Sequence, residues 1–128
     1  MSAWVLIPIL AIVITFLSKY DTLKEPCKVH YEYNAKTKNP SLDHSFKFSL
    51  EKIDSCYRCY IECIPSFRGR DTSNYQYHIL TDSLSNRPYI CWTGRVVYAE
   101  QAKKLSRNWA DATQKFIDTG IPAPGFGG

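Results

Sequence analysis

Three regimes of hydrophobic and polar patterning divide the chain. Residues 2–17, SAWVLIPILAIVITFL, form an apolar run without a charge, and every Lys, Arg, Asp and Glu lies from Lys19 onward. A helix there satisfies its own backbone and presents only apolar side chains, which predicts a single transmembrane anchor over residues 1–20. Trp4 to Tyr20 is 16 residue steps, roughly 24 Å of helix. That is slightly shorter than the ~30 Å hydrocarbon layer. Trp4 and Tyr20 occupy the interfacial aromatic positions, Phe16 lies inside the run near its end, and Pro8 is tolerated in a membrane helix with a kink. A cleaved secretory signal is the competing reading. It needs a basic start and a small-residue cleavage site, and residues 15–20 (TFLSKY) offer no such site.

The middle regime has the period of strands. Val29, Tyr31 and Tyr33 alternate with Lys28, His30 and Glu32, and Phe46, Phe48 and Leu50 repeat the pattern after a turn-rich stretch at 34–43. Residues 51–67 fit two periods: Leu50, Ile53, Tyr57, Tyr60, Ile61 and Ile64 at helical spacing, or Tyr57, Cys59, Ile61 and Cys63 on one strand face. The aromatic content favours strand in the second half. Residues 75–81 and 89–98 predict further strands, with Gly94 marking a bulge or a tight turn in the latter.

The last regime is helical over residues 99–119. Tyr98, Ala102, Leu105, Trp109, Ala112 and Phe116 form one apolar stripe, Glu100 and Lys115 suit the two poles of the helix dipole, and Gly120 terminates it. The expected architecture is therefore α+β. A single transmembrane helix precedes a small β-rich domain (21–120) of four or five mostly antiparallel strands and a C-terminal amphipathic helix. An extended Pro/Gly tail follows at 121–128. Leu105, Trp109 and Phe116 on the helix, with Pro122, Pro124 and Phe126 in the tail, are the expected partner-binding positions.

Composition adds two constraints. Nine Tyr, six Phe and three Trp favour contact surfaces over a dry core, and an interleaved net charge of +4 gives no indication of nucleic acid. Five cysteines remain: Cys27, Cys56, Cys59, Cys63 and Cys91. One close cluster without a second knuckle disfavours a zinc site, and β-rich surroundings disfavour a thioredoxin-like Cys-x-x-Cys. Disulfides stapling a small domain are the expected use. They would place it on the oxidising side of a membrane, whereas Lys19, Lys24 and Lys28 argue for the opposite orientation.

His30, His44 and His78 are far apart in sequence, no hydrolase, kinase or dinucleotide motif occurs, and Lys103, Lys104 and Arg107 form a basic patch on the helix. The resulting expectation is a non-catalytic, single-pass accessory or structural subunit. Its setting would be an organelle inner membrane complex or a virion membrane and capsid layer. It would contact other subunits and the lipid bilayer and carry no cofactor. A membrane-tethered, disulfide-stabilised binding or entry protein is the alternative, and a thiol oxidoreductase is the third.

Overall fold

The computed structural model describes residues 24–72 and 78–121. Five strands form one antiparallel sheet in the order β1-β2-β3-β5-β4: β1 (Lys28–Asn34), β2 (Ser45–Ile53), β3 (Cys56–Cys63), β4 (Ile79–Thr81) and β5 (Pro88–Ile90). Among the described residues a single helix, α1 (Ala99–Thr119), packs across one face of the sheet. The domain is thus α+β, with a five-stranded antiparallel sheet and a C-terminal helix. Among the described residues no helix is long and apolar enough to cross a membrane. The expected anchor, with Trp4, Pro8, Phe16 and Tyr20, lies outside them, as do Pro122, Pro124 and Phe126.

Alternation decides which side chains meet the helix. Val29, Tyr31 and Tyr33 pair across β1 and β2 with Leu50, Phe48 and Phe46, while Cys59 and Ile61 on β3 continue the same face. Phe46, Phe48 and Leu50 are fully buried. Trp109 of α1 inserts edge-on between the two phenylalanine rings, at 5.9 Å from Phe46 and 6.1 Å from Phe48. This edge-to-face arrangement directs the electropositive ring edge at an electronegative ring face.

Trp109 and Phe116 are therefore core residues of the domain. Both are buried within the domain, and Leu105 packs partly buried against the same core. The sequence stripe marks the inward side of the helix but is rotated from the actual buried face. Tyr98 is 63% exposed, whereas Ser106, Thr113 and Gln114 are buried. Packing on a wide sheet buries a broader arc than the apolar residues alone define.

Residues 50–64 resolve as a β-hairpin. Ile53 pairs with Cys56, and Asp54 and Ser55 between them have φ of 51° and 69°. Two consecutive positive φ values are the signature of a type I′ turn, whose twist matches that of the strands it joins. The second position normally carries glycine, so Ser55 holds an unfavourable conformation there. Ser55→Gly is expected to stabilise the domain by about 0.5–1 kcal/mol, the strain relieved less the entropy of glycine. Urea unfolding would measure it.

The strong β pattern at 89–98 yields only the short strand β5. Gly94, with φ 80°, turns the chain outward, and the path rejoins β3 where the Tyr57 N–H donates to the Val96 carbonyl.

Both ends of α1 are closed by residues remote in sequence. Tyr98 at the N-cap has no side-chain cap, and instead Glu25 Oε2 accepts the Ala99 N–H at 2.8 Å. At the other end Arg70 donates to the carbonyls of Ile117 and Asp118 at 3.1 and 3.0 Å. Each charge opposes the helix dipole and satisfies orphan backbone groups. Gly120 takes φ 78° there, and a Cβ on it would meet the Arg70 guanidinium at 3.0 Å. Glu25→Gln is expected to cost about 1 kcal/mol in thermal or urea unfolding, a value usual for a lost N-cap carboxylate.

Candidate functional site

The sheet face turned away from α1 carries most of the polar chemistry. Arg87 at the edge of β5 lies over the Tyr60 ring, with its guanidinium carbon 3.8 Å from the centroid, and donates to Glu51 Oε2 at 2.7 Å. Arg58 on β3 lies 4.1 Å over the Tyr89 ring and donates to Asp82 Oδ2 at 3.0 Å. The Tyr60 hydroxyl donates to the same Asp82 oxygen at 2.7 Å. Two arginines are thus each held between an aromatic face and a carboxylate. The lid they form explains why Ser49, on the outer side of β2, is fully buried, with its hydroxyl donated to Glu51 at 2.8 Å.

Electrostatics follow the hydrogen bonds. The Tyr60 hydroxyl and the backbone N–H groups of Ser85 and Leu84, assisted by the Arg58 charge, hold the Asp82 carboxyl below the usual carboxylate range. Arg87 does the same for Glu51, helped by Ser49 and Lys28. A carboxylate whose native pKa is depressed contributes its stabilisation in full above the unfolded value, near pH 4. That contribution is lost as pH falls toward the native value. Asp82→Asn is accordingly expected to lower stability at pH 7 and to flatten the loss of stability below about pH 4. Unfolding midpoints measured across the acid range would test this.

Beside this network lies an open cleft of about 290 Å³. Cys56, Arg58, Tyr89, Cys91, Trp92 and Leu80 are among its walls. Arg95 Nε donates to Cys56 Sγ at 3.2 Å. The Cys91 N–H donates to the His78 carbonyl at 2.9 Å, so the backbone brings a cysteine that lines the cleft next to a histidine. Sequence spacing gave no sign of that adjacency, because it arises from the β4–β5 pairing.

The five cysteines do not gather. All are free thiols: Cys27 and Cys63 exposed, Cys56 and Cys91 half-buried, and Cys59 buried. Cys56, Cys59 and Cys63 lie on one extended strand. Three residues of strand span about 10 Å, beyond the ~7 Å limit for a disulfide, and Cys56 and Cys59 point to opposite sheet faces. Strand geometry therefore excludes pairing of Cys56, Cys59 and Cys63 with one another along β3, a redox pairing of Cys56-x-x-Cys59 included. Burial pushes the Cys59 thiol up, against the lowering effect of Ser106, which keeps it protonated and inert.

Among the described residues no group of three or more His, Cys, Asp or Glu is placed to hold a metal ion. His30 meets Glu62 at 3.0 Å, and His44 contacts the Leu42 carbonyl at 2.7 Å.

A second concavity, about 420 Å³, lies between the β1–β2 loop and the end of α1, lined by Lys36, Thr37, Lys38, Asp111, Lys115, Asp118 and Thr119. Its carboxylates are engaged locally. Asp111 accepts from the Tyr33 hydroxyl at 2.9 Å and from the Lys36 N–H at 2.9 Å, and Asp118 accepts from Thr37 at 2.7 Å. These bonds fasten the helix to β1 and its loop. Comparison of the chain with family models, with curated proteins and with solved structures found no match.

Proposed function

We propose that this protein is a single-pass, membrane-anchored accessory subunit of a larger assembly, in an organelle inner membrane or in the membrane and capsid layer of a virion. Its role is structural. The observation that carries this reading is the tethering of residues 25–27, which follow the uncharged run after seven intervening residues. Glu25 caps α1, the Pro26 carbonyl accepts from the Tyr57 hydroxyl, and the Cys27 carbonyl accepts from the Lys52 N–H. Three consecutive residues fix the exit of the anchor to the helix, to β3 and to β2. Such a joint holds a domain at a set position relative to a membrane, as a scaffolding subunit requires. The outer-face arginines and carboxylates bind one another, which supports a structural use of those charges.

The alternative of a disulfide-stabilised binding protein would need bridges that involve Cys27 or Cys91, since Cys56, Cys59 and Cys63 cannot pair with one another along β3. The same bridges are the sequence argument for the oxidising side. Exposed Cys27 and Cys63 give a direct reading of orientation: an impermeant maleimide should label both from one side of sealed membranes.

The assembly itself is tested by extracting tagged full-length protein in mild detergent, measuring native mass and identifying what travels with it. A large, defined particle is expected. Deleting residues 121–128 should weaken incorporation while the domain stays folded. A lone chain plus detergent in the native extract would overturn the subunit reading.

A further inference from the structure

We propose that one end of the domain rests on the lipid head groups of the membrane entered by residues 2–17, an inference that builds on the anchor reading above. That end is formed by the β2–β3 turn and by the loop leading into α1. Cys56 follows the turn and contacts Arg95, while Tyr57 is bonded to Val96, so the turn and residues 95–98 are neighbours. Lys24 precedes Glu25, which is bonded to Ala99, and therefore lies at the same end.

Three of the domain's exposed large hydrophobic side chains collect there: Ile53 at 37%, Val97 at 41% and Tyr98 at 63% exposure. Lys24, Lys52 and Arg95 belong to the same end, together with Glu25, Asp54 and Glu100. A tyrosine and aliphatic side chains at one end of a domain that also carries long cationic ones match the chemistry of the head-group layer, where aromatic rings settle and lysine and arginine reach toward phosphate.

Chain length selects the occupant. Only four residue steps separate Tyr20, at the end of the expected span, from Lys24. Fully extended they reach about 14 Å. The head-group layer on one side of a bilayer is itself about 5–8 Å thick. With Glu25, Pro26 and Cys27 fastened to the domain, the tether keeps this end within about 6–9 Å of the head-group surface, the closest approach of any part of the domain. The β1–β2 loop, at the other end of β1, is some 20 Å further away.

The test is amide hydrogen exchange on the full chain in phosphatidylcholine vesicles containing a minority of phosphatidylserine, compared with the same chain in detergent. Amides of residues 53–55 and 96–98 should exchange about tenfold more slowly in vesicles, and those of 36–43 equally in both. The double variant Val97→Asp, Tyr98→Asp should lose that difference. It should also keep its fold, since both sites are exposed and an N-cap accepts aspartate.

Equal exchange at both ends, in a chain that stays with the vesicles through an alkaline wash, would overturn the docking alone. Release of the chain by that wash would overturn the anchor reading, and the docking with it.

Discussion

Replacing Trp109 by alanine is expected to reduce the unfolding free energy by about 3–5 kcal/mol, a large share of the ~5–15 kcal/mol typical of a domain. The indole is fully buried and makes edge contacts with two rings that are themselves buried, Phe46 and Phe48. Its loss removes the transfer energy of the largest core side chain. It also leaves a cavity that β2, hydrogen-bonded on both sides, cannot close. Chemical unfolding of the full chain in detergent, followed by far-UV circular dichroism, would read the change. A residue that serves a partner would behave differently, with stability preserved and only assembly lost. A variant of wild-type stability would place Trp109 at an interface and contradict the packing described above.

The second large effect is less intuitive. Ser106→Leu makes the inward stripe of α1 more apolar, yet it should destabilise the domain by about 1–3 kcal/mol. Ser106 has no exposed surface, donates to the Lys103 carbonyl at 2.9 Å and is in hydrogen-bond contact with the Tyr31 hydroxyl. Burial also raises the Tyr31 phenol, so the ring stays neutral and its hydroxyl remains available as a donor. A leucine there would have no free volume and would cost Tyr31 its polar partner. Ser106→Ala, which removes the hydroxyl without adding volume, should cost about 1 kcal/mol, and the gap between the two variants isolates overpacking.

Periodicity carried much of the architecture. The limits of α1 coincide with the sequence expectation, because Gly120 and the change from period two to period 3.6 are local signals. The alternations at 29–33 and 46–50 likewise place their side chains correctly, since a strand has only two faces.

Local pattern failed where a turn lacked its usual residues. Asp54-Ser55 closes a two-residue hairpin without glycine or asparagine, so the turn gives no signal and residues 50–64 fit a helix as well as a strand, with only aromatic content tipping the second half to strand. It failed again at 91–98, where β-forming residues leave the ladder after three paired positions and run out as a loop around Gly94.

By itself the sequence determined the α+β class, the helix and its limits, two strand faces and an uncharged N-terminal run, all properties of neighbours along the chain. Tertiary structure decided which remote residues close the helix ends, Glu25 and Arg70. It also decided that Trp109 and Phe116 are core, that three clustered cysteines cannot pair with one another, and that Arg58, Tyr60, Asp82, Arg87 and Glu51 form one network. Each of these depends on strand order and on which side of the sheet the helix covers. Both are fixed by long-range pairing that no local period encodes.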